Sequence, residues 1–254
     1  MTRLVRAGLL ILLTLPQSPA GSAGRPPRSM AAHPRLAPVQ SWPGPLSAHE
    51  VNLRRVFRDA FAPQVRLRAL ITASFEPESM IGLRRSEAGY EIFALRPKRE
   101  IWLYQAIRHY RYGRSGVVSL DGGNPAAQSA RESAELARLE KDLPADPADM
   151  PLSRCSAPVE PALAAGVATA WQTLLEAVDT EENLMPGLDG TTYVFSMETG
   201  GRSLAGQTWT PNEGTPPAKL ARLAGAMRRY CEAKAPEALL EMEALARDLA
   251  GNRG

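Results

Sequence analysis

The stretch from Leu188 to Pro211, LDGTTYVFSMETGGRSLAGQTWTP, constrains this chain more than any other. Asp189-Gly190 opens it, Gly200-Gly201 divides it and Pro211 closes it. The residues between are largely β-branched or aromatic, types that fit a pleated, half-buried surface. A β-hairpin is expected here, inserted between two amphipathic helices. Strands paired symmetrically about Gly200 would place Thr191, Tyr193 and Phe195 on one face with Trp209, Gln207 and Ala205, so that Tyr193, Phe195 and Trp209 form one core cluster. A slip of one residue would turn the rings of one strand to the other side. Trp209 also carries a second reading, as a ring on which a ligand packs.

The first residues give an address. Arg3 and Arg6 precede the apolar run Ala7–Leu15, and Ser18, Ala20, Ser22 and Ala23 follow, which is the layout of a secretory signal peptide over residues 1–23. Cleavage is expected before Gly21 or Gly24. The run is shorter than the roughly 20 residues that span a bilayer, so no transmembrane segment is expected after cleavage. The peptide contains two arginines and no acid, so the charge falls from +3 to about +1 on its removal. The basic excess of the whole chain is therefore no signal for nucleic acid, and no nucleic-acid partner is expected.

Cys155 and Cys231 are the only two cysteines. An even pair in an exported chain is more often a disulfide than two free thiols. Neither lies in a C-x-x-C or near a histidine, so no metal and no thiol nucleophile is expected.

Residues 24–46 hold Pro26, Pro27, Pro34, Pro38, Pro43 and Pro45 without apolar periodicity and read as a flexible leader. A single domain is expected over 47–254. Ser47-Ala48-His49-Glu50 matches a capping box, opening a helix to about Ala62 with Leu53, Val56 and Phe57 inward and Arg54, Arg55 and Arg58 outward. Val65–Phe75 alternates with the period of a half-buried strand. Met80–Arg85 and Tyr90–Arg96 read as a hairpin around Ser86-Glu87-Ala88-Gly89. Ile101–His109 reads as a further strand, with helix as the competing assignment. Residues 113–151 read as a mobile excursion ending in a linker-like PADPADMP. Leu152–Val159 is a further strand. Leu163, Val167, Ala170, Trp171, Leu174 and Leu175 mark a core helix, and Leu220, Leu223, Ala224, Met227, Tyr230 and Cys231 mark another behind Thr215 and Pro216-Pro217. A last helix runs from Pro236 to about Ala250. The fold class is α+β: an antiparallel meander and a C-terminal hairpin packed against amphipathic helices.

Catalytic signatures are missing: there is no G-x-S-x-G, H-E-x-x-H, Walker loop, dinucleotide fingerprint or S-x-x-K. No cofactor and no metal is implied. Glu76 and Glu78 flank Pro77, and Asp179, Glu181 and Glu182 cluster, yet acid/base work needs two carboxylates facing each other across a cleft, and turn or solvent roles suit these better. Arg96–Arg114, RPKREIWLYQAIRHYRYGR, is the one strongly basic and aromatic run, a mixture that pairs with phosphate and offers stacking area. Its bland reading is a strand whose arginines pair with acids elsewhere. Arg108, His109, Arg111 and Trp209 are the candidate binding surface.

The pieces FEPESMIGLRRSEAGYEIF to Trp102, and GLDGTTYVFS with GQTWTP and the later Tyr230-Cys231, resemble a family of uncharacterised exported proteobacterial proteins. The likeness covers about half of the chain beyond the signal peptide and implies export and one domain, with no activity attached. The expected function is a non-catalytic binding or interaction protein of the periplasm, its partner another envelope protein or an anionic envelope component. The alternative is a periplasmic hydrolase.

Overall fold

Six segments alternate side chains between two apolar surfaces, and each forms a strand. The computed structural model describes residues 35–39, 45–74, 76–101, 134, 137–138, 141, 143–180 and 189–251. The strands are β1 (Val65–Ala73), β2 (Ser79–Ser86), β3 (Gly89–Pro97), β4 (Leu152–Val159), β5 (Thr191–Thr199) and β6 (Arg202–Trp209). They form one antiparallel sheet in the order β4-β3-β2-β1-β5-β6, a four-strand meander extended past β1 by the hairpin. The α+β expectation is met.

One face carries Leu67, Ala69, Ile81, Leu83, Ile92, Ala94, Phe195 and Met197. Against it pack α2 (Pro161–Glu176), α3 (Pro216–Ala233) and α4 (Pro236–Gly251), which bury the stripes that their sequences mark. Thr215 caps α3, its hydroxyl accepting the Ala218 N–H at 3.3 Å. Trp171 is fully buried and meets Phe195 edge-on, ring centroids 5.3 Å apart.

Cys155 of β4 and Cys231 of α3 form a disulfide, with Cα atoms 5.8 Å apart and a sequence separation of 76. A loop of that length corresponds to about 4 kcal/mol in the chain-entropy treatment. Two further α3 groups reach the same strand. The Tyr230 hydroxyl donates to the Pro158 carbonyl at 3.1 Å, and Lys234 Nζ donates to the Ser156 carbonyl at 2.6 Å. Pro158 has no N–H to offer, so these contacts and the proline together blunt an edge strand.

The opposite face carries a smaller core, in which Val65, Met80, Phe93 and Leu95 meet Leu53, Val56 and Phe57, Ala60, Ile101 and Met150. It is built by α1 (Pro45–Val56), a 3-10 turn at Arg58–Phe61 and another at Pro147–Asp149. Phe93 lies so close over Gly82 that a Cβ there would fall 2.6 Å from the ring and 2.5 Å from the Leu67 carbonyl. Only glycine admits the ring at that place.

The hairpin pairs Thr192 with Trp209 and Phe195 with Gly206, one residue away from symmetry about Gly200. The cause is the turn: Gly200 and Gly201 both take positive φ, 55° and 74°, and together form a two-residue centre. Phe195 and Tyr193 therefore share the three-helix face, while Trp209 points to the other. The first helix starts at Pro45, so Ser47 lies in its first turn and not at its cap. Leu36 and Ala37, expected in a flexible leader, are buried: Ala37 pairs with Gln207 through two backbone hydrogen bonds of 2.9 and 2.8 Å, and Leu36 packs over Gly206. Pro147 and Met150 of the supposed linker are buried against α1. Ile101 is helical, which goes against a strand beginning there. The remainder of that segment and most of the 113–151 excursion lie outside the described residues, as does the signal peptide.

Candidate functional site

Strand alternation decides what the opposite face offers. Because Cys155 turns toward α3, its neighbours Arg154 and Ser156 turn the other way, and they stand beside Leu95 and Phe93 in the ladder. Arg84 on β2 pairs with Glu91 on β3 and reaches over the Phe93 ring, 5.3 Å from guanidinium carbon to ring centroid. Arg84, Phe93, Leu95, Arg154, Cys155 and Ser156 enclose an open groove of about 200 Å³. Each arginine is steadied by one carboxylate. Arg84 Nε donates to Glu91 Oε1, and Arg154 Nη1 donates to Asp59 Oδ2 at 2.5 Å. A guanidinium has five N–H donors, so the remaining ones stay available to an anion.

More arginine surrounds this groove. Phe61 lies between Arg54 and Arg68, whose guanidinium carbons sit 5.1 and 4.6 Å from its centroid. Burial holds the Arg68 guanidinium below its usual pKa, Arg54 adding to the effect and Glu198 opposing it. Arg66 occupies a bulge, since Val65 pairs with Arg84 but Leu67 with Leu83. A bulge re-aims the extra side chain, and here it leaves Arg66 exposed next to Val65, the pairing partner of Arg84. Arg54, Arg66 and Arg68 have no ion-pair partner among the described residues.

A second polar cluster is sealed. His49 and Asn52 of α1 are buried with Glu78, which is 1% exposed. His49 Nε2 lies 3.5 Å from Glu78 Oε1, and Glu78 Oε2 accepts the Ile101 N–H at 2.7 Å. Burial lowers the His49 pKa to about 4, outweighing the neighbouring carboxyl group, which by itself would raise it. Glu76, only two residues before Glu78, is exposed and pairs with Arg96 at 3.2 Å. The two glutamates flanking Pro77 therefore do not act as a pair.

The far end of the sheet holds Trp209. Thr72 pairs with Thr192 and Thr192 with Trp209, a row of three half-buried residues on the face away from the three helices. The indole lies over Gly190, where a Cβ would come within 2.6 Å of Cε2 and Cζ2. Thr210 has φ 37°, an unusual value for a β-branched residue that costs about 1–3 kcal/mol. It is fixed reciprocally: its N–H donates to the Thr191 carbonyl at 2.8 Å, and its Oγ1 accepts the Thr191 N–H at 3.0 Å.

Of the residues singled out in the sequence, Cys155 and Cys231 come together and Trp209 stands on the side away from Tyr193 and Phe195, while Arg108, His109 and Arg111 lie outside the described residues. The sequence pattern singles out neither Arg84 nor Arg154, gives His49 only a place in a capping box and assigns Glu78 to a turn or to solvent. The signal for the first two was present, since both alternate with residues of the three-helix face. No group of three His, Cys, Asp or Glu residues that could hold a metal occurs among the described residues, and none of their helices is long and apolar enough to cross a membrane. Comparison with protein families, curated proteins and solved structures gives no significant match.

Proposed function

We propose that this is an exported, non-catalytic binding protein of the cell envelope that engages an anionic envelope component through the arginine face of its sheet. The groove between Arg84 and Arg154 carries the reading: two guanidiniums, each oriented by a carboxylate and each with donors to spare, over a floor that includes the Phe93 ring. At about 200 Å³ the groove is smaller than the roughly 300–1,000 Å³ of pockets that enclose small molecules. One phosphate or carboxylate of a larger, surface-lying ligand suits it. The nearby Arg54, Arg66 and Arg68, which have no ion-pair partner among the described residues, extend the positive field along the same end of the sheet. The signal peptide expected at the N-terminus and the disulfide both favour an oxidising compartment.

A hydrolase reading would rest on His49 and Glu78. Exposures of 8% and 1% keep both from a substrate, and the Ile101 N–H held by Glu78 gives that carboxyl group a structural task.

Co-sedimentation of the purified protein with an isolated envelope fraction tests the proposal, with inorganic phosphate as competitor. The wild type should pellet, phosphate and raised salt should release it, and the Arg84→Ala/Arg154→Ala double variant should bind at least tenfold more weakly. A double variant that pellets like the wild type, or binding indifferent to salt and phosphate, would refute it.

A further inference from the structure

We propose that the row Thr72, Thr192 and Trp209 is a carbohydrate subsite that takes one pyranose ring of a glycan. A sugar ring presents two surfaces: a patch of C–H groups that packs on an aromatic face, and hydroxyl groups that both donate and accept hydrogen bonds. The row supplies the complement of each. The indole provides the flat apolar surface, and the two threonines, one and two strands away on the same face, provide short hydroxyls of mixed donor and acceptor character. At about 4.8 Å between neighbouring strands, this spacing matches the width of one ring.

The site is also held rigid in advance. Gly190 forms the bed of the indole, and its two backbone groups are both engaged by Ser74: the Gly190 N–H donates to Ser74 Oγ at 3.0 Å, and the Ser74 N–H and hydroxyl both donate to the Gly190 carbonyl at 3.0 Å. On the other side the left-handed Thr210, locked to Thr191, fixes the backbone next to the indole. The ladder from Thr192–Trp209 to Thr199–Arg202 closes the hairpin, and the Thr210–Thr191 bonds extend its pairing one step beyond the indole. The backbone on both sides of the aromatic residue is thereby fixed, and a ring ordered beforehand gives up little freedom when a ligand packs on it. No arginine belongs to the row, and Arg84 of the groove pairs with Val65, seven residues along β1 from Thr72, so this subsite is separate from the anion groove on β2–β4 of the same face.

The test is an NMR titration of the oxidised full chain with cellotetraose, maltotetraose and chitotetraose, following the Trp209 indole N–H, identified by its loss in Trp209→Phe. At least one sugar should shift that signal. Thr192→Val and Thr72→Val, which keep side-chain shape and strand preference, should each weaken binding about fivefold or more with unchanged melting temperature, and Trp209→Ala, followed through the sugar's own proton signals, should abolish it. The Arg84→Ala/Arg154→Ala variant should titrate like the wild type. The proposal fails if none of the three sugars moves the Trp209 signal, if Thr192→Val binds as tightly as the wild type, or if the arginine variant alone loses the sugar. That last outcome would place the ring in the anion groove instead.

Discussion

In β4, Cys155 and Ala157 look toward three helices while Arg154 and Ser156 look toward a groove, and in β2 the same division separates Ile81 and Leu83 from Arg84. One set of strands thus supplies two surfaces of different character. The three-helix face is apolar and closed, centred on Trp171 and Phe195. The opposite face mixes a smaller core with a sealed His49–Glu78 pair, carboxylate-steadied arginines and the Trp209 row. The difference teaches a division of labour: stability resides mainly on the closed side, and the groups that can meet a ligand are kept on the other. Substitutions should separate the two.

The largest effect is expected on the closed side. Trp171→Ala removes a fully buried ring together with its edge contact to Phe195 and should destabilise by about 3–5 kcal/mol. Urea denaturation of the oxidised protein measures it. A loss below about 1 kcal/mol would mean that the three-helix face repacks freely and is not the seat of stability.

A second effect comes from the opposite face and tests whether its sealed part belongs with the core or with the binding surface. His49 stays neutral in the folded state down to about pH 4, whereas in the unfolded chain it takes up a proton near its ordinary value of 6.5. Its contribution is complete above pH 6.5 and is lost as the pH falls toward 4, because the unfolded state then binds the extra proton. The loss should approach about 3 kcal/mol across that window. Denaturation midpoints at pH 7 and pH 4.5, compared between the wild type and His49→Gln, isolate it, since the variant should lose less stability on acidification. Equal losses in the two would remove His49 from the account.

The closed side was legible in the sequence and much of the opposite side was not, for a physical reason. Helical and strand periodicity report which residues are buried, and Leu163, Val167, Trp171, Leu220, Met227 and Cys231 are all found where their spacing places them. The same patterns place Arg54 only as a residue that points away from that core, and they single out neither Arg68 nor Arg154. Which of them meet depends on long-range pairing: Arg154 reaches Asp59 across 95 positions of sequence, and Arg54 and Arg68 converge on Phe61 only because the 3-10 turn folds back on β1. His49 looked like a cap residue and Glu78 like part of a Glu-Pro-Glu turn, because burial of a polar side chain leaves no periodic trace. The hairpin was readable in kind but misplaced in register, since Gly200-Gly201 permits more than one turn centre and the choice moves Trp209 from one face to the other.

The smallest stability change is the one that most sharply distinguishes the faces. Arg154 and Asp59 form an ion pair whose side chains are 52% and 45% exposed. Pairs of that kind contribute about 0–1 kcal/mol, so Arg154→Ala should leave the urea midpoint almost unchanged while it weakens envelope binding and reduces its salt dependence. Asp59→Asn provides the complement. It removes the charge that competes for Arg154 while keeping a hydrogen-bonding group, so binding should hold or tighten at the same stability. If Arg154→Ala instead destabilises as much as Trp171→Ala, β4 depends on its outward side chains as well as on Cys155, and the two faces are not energetically separable.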